Sequence, residues 1–151
     1  MKVRDVYTKG AITIAPTTSI REAQRLMQEH KIRRLPVVDR DRLVGIVTQL
    51  DLMRATPSVA TSLSVWEINY LLDKVQVGEI MTRNVMTVTP ETDLVAAARL
   101  MIDRKIGGVP VVEGDRVVGI ITESDIFRAL VGILEGGQAG VATVPPAAAS
   151  G

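Results

Sequence analysis

A chain of 151 residues, 46% hydrophobic and 23% charged, is long enough to bury one real core or two small ones packed together. A formal net charge of +1 leaves no broad basic footprint for duplex DNA, and four aromatic side chains (Tyr7, Trp66, Tyr70 and Phe127) offer little for stacking single-stranded bases. The absence of cysteine and the single histidine, His30, exclude disulfides, thiolate metal sites, a cysteine nucleophile and any multi-histidine metal centre.

The N-terminus carries no apolar run of the signal-peptide kind, and no stretch of about 18 uninterrupted apolar residues occurs. A cytoplasmic protein with no membrane partner is therefore expected. The chain repeats itself, and a repeat constrains every element within it. Residues 3–55 align with residues 77–129 without a gap, at an offset of 74, and somewhat under half of the aligned pairs are identical. Gly45-Ile46-Val47-Thr48-Gln49-Leu50-Asp51 returns as Gly119-Ile120-Ile121-Thr122-Glu123-Ser124-Asp125. One supersecondary unit is used twice.

In chain order, Ala11-Ile12-Thr13-Ile14 is a short β-rich run that ends at Pro16, which lacks the donor a ladder needs. Ser19 and Glu22 match a capping box, and Ile20, Ala23, Leu26, Met27 and His30 then share one helical face. His30, near the end of that face, is expected to be partly buried or to cap the helix. Leu35-Pro36-Val37-Val38-Asp39 and Leu43-Val44-Gly45-Ile46-Val47 read as two strands joined by a charged turn, and a second helix starts near Thr48. The second copy repeats this. Asp93 stands at the cap, Leu94, Ala97, Leu100 and Met101 form the stripe, a Gly114-Asp115 turn joins the strands, and a helix starts near Thr122. Each copy is thus roughly β-α-β-β-α.

Between the copies, Pro57-Ser58 reads as a loop. Ser64 and Glu67 form another capping box, ahead of a stripe of Val65, Ile68, Leu71, Leu72 and Val75. An extra helix is expected there, with Trp66 and Tyr70 available to cover a neighbour. The expected organisation is repeat 1 over residues 1–55, a linker with this helix over 56–76, repeat 2 over 77–131, and a flexible Gly-, Ala- and Pro-rich tail over 132–151.

Both copies resemble the CBS domain, the cystathionine-β-synthase-type repeat of regulatory modules. The resemblance covers residues 3–130. Its marks are the Met81-Thr82 start, the Thr-Ile/Val-x-Pro strand, the Pro-Val-Val-Asp/Glu strand and Gly-Ile-Val/Ile-Thr-x-x-Asp. The linker is similar to that of stand-alone bacterial CBS pairs, some of which carry an acetoin-utilisation label. The resemblance implies an α+β fold, two repeats packed sheet to sheet into one pseudo-twofold module, and dimerisation of such modules into a disc. It implies clefts between the repeats that bind adenosyl compounds: AMP, ADP, ATP, S-adenosylmethionine or relatives. It implies a sensor without a required cofactor.

The same resemblance distributes roles. Asp51 and Asp125 would accept hydrogen bonds from ribose hydroxyls, and Thr48 and Thr122 would meet phosphate, which also suits a helix N-terminus. Thr-x-x-Asp at a helix start is equally a near capping box, and a cap residue can face a ligand. Adenine would lie against Thr13, Ile14, Ala15, Leu35 and Pro36 in one cleft, and against Thr87, Val88, Thr89, Val109 and Pro110 in the other. For Ile14 and Val88, plain core strands remain an equal reading. Arg33 and Arg34 would supply positive charge, or be a solvated turn. Their counterparts are Gly107 and Gly108, which suit close backbone approach or a neutral adenosyl group. Arg54 and Arg128, three residues past each Asp, could also point at phosphate; one turn further along the helix from a bound anion, the surface is the expected place for them.

Two functions stay open: a regulatory module sensing adenosyl ligands, or a structural dimerisation or adaptor domain with non-functional clefts. Nucleotide turnover is not expected, since no nucleophile–base pair or metal cluster is legible. The expected partners are a small adenosyl ligand and a second copy of the chain; nucleic acid is not among them.

Overall fold

The computed structural model describes residues 1–56 and 63–136. In chain order the elements are a 3₁₀ turn (Val3–Asp5), β1 (Thr8–Lys9), α1 (Ile20–His30), β2 (Arg34–Asp39), β3 (Arg42–Thr48), α2 (Gln49–Ala55), α3 (Val65–Lys74), a second 3₁₀ turn (Val77–Glu79), α4 (Leu94–Arg104), β4 (Gly108–Glu113), β5 (Arg116–Thr122) and α5 (Glu123–Leu134). The α+β class and the duplicated order follow the sequence pattern. The loop expected at Pro57-Ser58 lies outside the described residues.

The compact units are not the sequence repeats. One unit spans Ile12–Val85; the other joins Met1–Ala11 to Met86–Gly151. The first eleven residues, the head of repeat 1, therefore fold with the body of repeat 2, and the equivalent stretch near residue 80 folds with the body of repeat 1. Val3 and Val77 show the exchange directly. They are equivalent by the offset of 74 and both fully buried, Val3 among Val88, Ala97, Met101, Val109, Val111 and Ile121, Val77 among Ile14, Ile20, Ala23, Met27, Leu35, Val37, Val47 and Leu52. Burying one such side chain contributes about 2 kcal/mol, so each head is held by packing as well as by backbone bonds.

In the Ile12–Val85 unit, β2 and β3 form an antiparallel pair from Arg34↔Thr48 to Asp39↔Arg42, closed by Arg40 and Asp41, both at positive φ. Two positive φ angles suit the twist of a two-residue hairpin. The expected first strand is shorter than its β-rich composition suggests. Only Ile14 pairs, in a parallel bridge to Val37 whose bonds are Ile14 N–H to the Pro36 carbonyl (3.0 Å) and Val38 N–H to the Ile14 carbonyl (2.8 Å). The Ala15 N–H turns aside to the Thr18 hydroxyl, 3.1 Å away, and Pro16 follows with no donor. Ser19 caps α1 as expected, its hydroxyl accepting from Glu22 N–H at 3.1 Å. His30 ends α1 exposed, away from the buried face. The capping box of Ser64 and Glu67 starts α3, and Arg21 of α1 bonds Asp73 (2.6 Å) and Asn69 (2.9 Å) of α3.

The other unit carries a three-stranded antiparallel sheet in the order β1-β5-β4. Its first expected strand again shrinks to one bridge, Val88 to Val111. Asp93 is not a side-chain cap. The Leu94 N–H that such a cap would help to shield is taken by the Met1 carbonyl at 2.9 Å, while Lys2 bridges to Asp93. Asp93 holds the N-cap position through its backbone alone, its carbonyl accepting from Ala97 N–H at 3.0 Å. Helix α5 runs to Leu134, three residues into the stretch expected to be tail; residues 137–151 lie outside the described residues.

Gly45 and Gly119 explain why the heads can lie where they do. A Cβ on Gly119 would strike the Thr8 carbonyl oxygen and the Tyr7 ring; one on Gly45 would strike the Met81 side chain, with the Thr82 carbonyl oxygen at 3.1 Å. Each glycine is bare so that a head can cross the middle of a strand.

Candidate functional site

Every predicted ligand residue of repeat 1 falls in the Ile12–Val85 unit, at one end of its sheet. Residues 13–15 run beside β2, with Ile14 buried and Thr13 and Ala15 exposed on either side of it. The ladder sets Arg34 opposite Thr48, and the Gln49 N–H donates to the Arg33 carbonyl at 2.7 Å. The arginine pair and the Thr48–Asp51 turn therefore meet at the same strand end. Thr48 and Asp51 form a reciprocal cap: Thr48 N–H donates to Asp51 Oδ2 (2.8 Å) and Asp51 N–H to Thr48 Oγ1 (3.2 Å). Asp51 is half-buried, and among the described residues its Oδ1 has no hydrogen-bond partner. An ionised carboxylate can accept about four bonds, so most of its capacity is open.

The equivalent turn in the other unit is built from the same residue types and is closed. Thr122 N–H donates to Asp125 Oδ2 (2.9 Å), and the Thr122 hydroxyl lies 3.3 Å from the same oxygen. On the other side, Asp125 Oδ1 receives the Thr8 hydroxyl (3.0 Å) and Arg128 Nη1 (2.8 Å). Asp125 is 1% exposed, and its pairing with Arg128 is what makes so buried a carboxylate tolerable. Arg128 is thus partly buried, contrary to its sequence expectation; its second terminal nitrogen, Nη2, is buried without a hydrogen-bond partner among the described residues. Arg54, its counterpart, is exposed as expected.

The remaining predicted residues divide by burial. Leu35, Val109 and Pro36 are fully buried, Pro110 and Gly108 are buried, and Ile14 and Val88 are 7% and 5% exposed. For Ile14 and Val88 the core reading holds, and at all these positions the backbone, not the side chain, is what a ligand could meet. Thr13, Ala15, Thr87, Thr89 and Arg33 are exposed; Arg34 is half-buried. Where repeat 1 has Arg33 and Arg34, repeat 2 has bare glycine backbone, the Gly107 carbonyl taking the Glu123 N–H at 3.1 Å.

Sequence reasoning missed Thr8. The signal was present, because Thr8 and Thr82 are identical across the repeats, but Thr8 reaches Asp125 only through the exchange of heads. A further cavity of about 380 Å³ sits on α3, lined by Leu63, Trp66, Glu67, Tyr70 and Leu71, and none of the predicted ligand residues lines it.

The duplicated hairpin-and-helix unit, with a hydroxyl and a carboxylate at each final helix start, defines a tandem-repeat module. The CBS-domain family model matches residues 3–58 and 77–132, and the chain belongs to that family. Among solved structures it is similar to a putative acetoin utilization protein (AcuB) from Vibrio cholerae, at 34% identity and a TM-score of 0.75, covering 89% of this chain and 93% of that one. It is similar to the CBS domain pair of MJ0100 in complex with 5′-methylthioadenosine and S-adenosyl-L-methionine (36% identity, TM-score 0.73, 88% and 98% covered). It is also similar to CBSX2 in complex with AMP (33% identity, TM-score 0.74, 87% and 97% covered). The chain spans only part of several curated relatives, 46% of one that it matches at 33% identity and 22% of another at 38%. No helix among the described residues is long and apolar enough to cross a membrane.

Proposed function

We propose that the chain is a regulatory module that senses an adenosyl compound, and that the Thr48–Asp51 turn with Arg33 and Arg34 is its principal binding point. One observation carries this reading. Asp51 is fixed by the Thr48 N–H through a single oxygen and, among the described residues, keeps the other without a hydrogen-bond partner, at the strand end where the backbone of Arg33 and Arg34 meets the Thr48 turn. A carboxylate so held offers acceptors to a vicinal diol, and a guanidinium nearby suits a phosphate or a carboxylate. The adenosyl class is supported by the ligands of MJ0100 and CBSX2. Calorimetry with AMP, ATP, S-adenosylmethionine and 5′-methylthioadenosine tests it. Saturable binding that Asp51→Ala weakens at least tenfold is expected; no binding of any of the four overturns it.

The module acts as a homodimer in this reading. Phe127, Leu130, Val131 and Leu134 of α5, spaced at three and four residues, are all exposed and make one apolar stripe. Sedimentation of the purified chain at twice its mass is the expected result. A structural adaptor is the second reading, and the internally saturated Asp125 favours it for that half of the molecule.

A further inference from the structure

The Thr-Asp-Arg set is present twice, yet the two copies are in different states. Thr8, Asp125 and Arg128 correspond by the offset of 74 to Thr82, Asp51 and Arg54. In one unit the hydroxyl and the guanidinium converge on the carboxylate at 3.0 and 2.8 Å; in the other, among the described residues, neither reaches it. Composition cannot be the cause, because the three residue types are the same. The heads differ instead. The Thr8 head pairs with β5 over two residues, Thr8↔Ile120 and Lys9↔Gly119, and is tied down by Lys2 and Arg4, each 2.9 Å from Glu91. The Thr82 head makes a single bridge to Ile46, and the positions equivalent to Lys2, Arg4 and Glu91 are Gln76, Gly78 and Thr17, which cannot form that clamp.

We infer that Thr8 and Arg128 are an internal occupant of the second turn: they hold the acceptor positions on Asp125 that a ribose diol would take, so that the two halves bind an adenosyl compound unequally and the second does so only by displacing the N-terminal head. The inference rests on the adenosyl reading given above. With the Thr122 N–H and hydroxyl on Oδ2, and the Thr8 hydroxyl and Arg128 Nη1 on Oδ1, all four acceptor positions of Asp125 are filled. An incoming diol must break at least the Thr8 bond. A ligand that does so frees Thr8 from α5 and loosens the joint between β1 and that helix. Nη2 of Arg128, buried and without a hydrogen-bond partner among the described residues, marks where the closed arrangement is incomplete, since a buried donor without an acceptor is unfavourable. Occupancy of the second turn is thereby linked to the state of the N-terminal head, and the first turn has no such link.

Calorimetry with AMP and with 5′-methylthioadenosine distinguishes the halves. The wild-type chain is expected to take up one equivalent tightly, and Asp51→Asn to abolish that event. Thr8→Val and Arg128→Met, each removing one occupant while keeping much of its bulk, are expected to raise the uptake to two equivalents or to strengthen a weak second event about tenfold. Adding Asp125→Asn to Thr8→Val should remove the gained site. Two equal sites in the wild type, or a second site that neither substitution changes, overturns the inference. A ligand-free measurement separates it from the adenosyl reading. Urea unfolding of Thr8→Val, Asp125→Asn and the double variant should show clear non-additivity. Additive effects mean that the Thr8–Asp125 bond is absent in solution, and the inference falls whatever binds. Non-additive effects with no uptake of either compound by any variant mean that the adenosyl reading has failed, and the occupant then has nothing to exclude.

Discussion

The two Thr-x-x-Asp turns are the same sequence device in two settings. At Thr48–Asp51 the carboxylate caps a helix with one oxygen and, among the described residues, leaves the other without a partner, at the strand end that Arg34 shares with Thr48. At Thr122–Asp125 the carboxylate is buried, and its outer oxygen is taken by a threonine from the chain's first strand and an arginine one turn along its own helix. A motif therefore fixes what a residue can do, while its neighbours fix whether the capacity is spent inside the protein. Here the deciding neighbours come from the head segments, which arrive from the opposite repeat.

The sharpest way to break the comparison is to remove each carboxylate in turn and measure stability. Asp125→Ala strips Arg128 of its partner and leaves a partly buried cation uncompensated, a change that costs about 3 kcal/mol. Asp51→Ala removes half of a capping box and should cost about 1 kcal/mol. Urea unfolding monitored by far-ultraviolet circular dichroism reads both. Equal costs would show that the two turns are alike in solution and that the contrast between them is not real.

A second difference lies at the crossings of the heads. Gly119→Ala would drive a methyl group into the Thr8 carbonyl oxygen, which is backbone and already paired in β1, and into the Tyr7 ring. Overpacking of this kind costs about 1–3 kcal/mol, and the upper end is expected here. Gly45→Ala meets mainly the Met81 side chain, a flexible thioether that can turn away, so the lower end is expected. Thermal melts of the two variants should rank Gly119→Ala as the more damaging. The reverse order would mean that the N-terminal head is the looser of the two.

Much of this architecture is written in local pattern. The caps at Ser19, Ser64 and Thr48, the β2–β3 and β4–β5 hairpins and helix α3 all depend on residues within a few positions of one another, so spacing alone exposes them. What spacing does not expose is which body each head joins. The heads carry nearly the same pattern, Val3 through Thr8 and Val77 through Thr82, and either would satisfy a glycine-bearing strand. The choice is made by contacts more than a hundred residues apart, such as Thr8 with Ile120. That is why spacing does not expose the Thr8–Asp125 bond, the partial burial of Arg128 or the bond from Leu94 N–H to the Met1 carbonyl. The positions expected to face adenine lie in β-rich runs, and such a run does not say which of its side chains point inward; the parallel bridge at Ile14, which is buried, settles that for repeat 1.

A third test asks where the halves should agree. Helices α1 and α4 both end on a lysine in the left-handed region, Lys31 at φ 54° and Lys105 at φ 53°. That conformation is strained for any side chain bearing a Cβ and is the usual place for glycine. Lys31→Gly and Lys105→Gly should each raise stability by about 0.5–1 kcal/mol, and by the same amount in both halves. An unequal gain would show that the halves differ beyond their heads.

The smallest effect concerns the clamp that only one head possesses. The Lys2 ammonium hydrogen-bonded to Glu91, helped by the charge of Arg4, holds the Glu91 carboxyl below the usual carboxylate range. Its folded value being depressed, the carboxylate favours the docked head above the ordinary glutamate range and loses that contribution as the pH falls through the lowered value. All three side chains are largely exposed, so the contribution is modest and screened by salt. Acidification from neutral pH should therefore speed amide exchange at Val3 and Arg4, whose N–H groups bond the Thr92 and Pro90 carbonyls, more than at Val77 and Gly78, whose N–H groups make the matching bonds to Thr18 and Pro16. Exchange rates must first be corrected for their intrinsic dependence on pH. Glu91→Gln should abolish the difference; if both heads loosen in parallel in the wild type, the clamp does not distinguish them, and the closed state of Asp125 must owe its persistence to the β1 pairing alone.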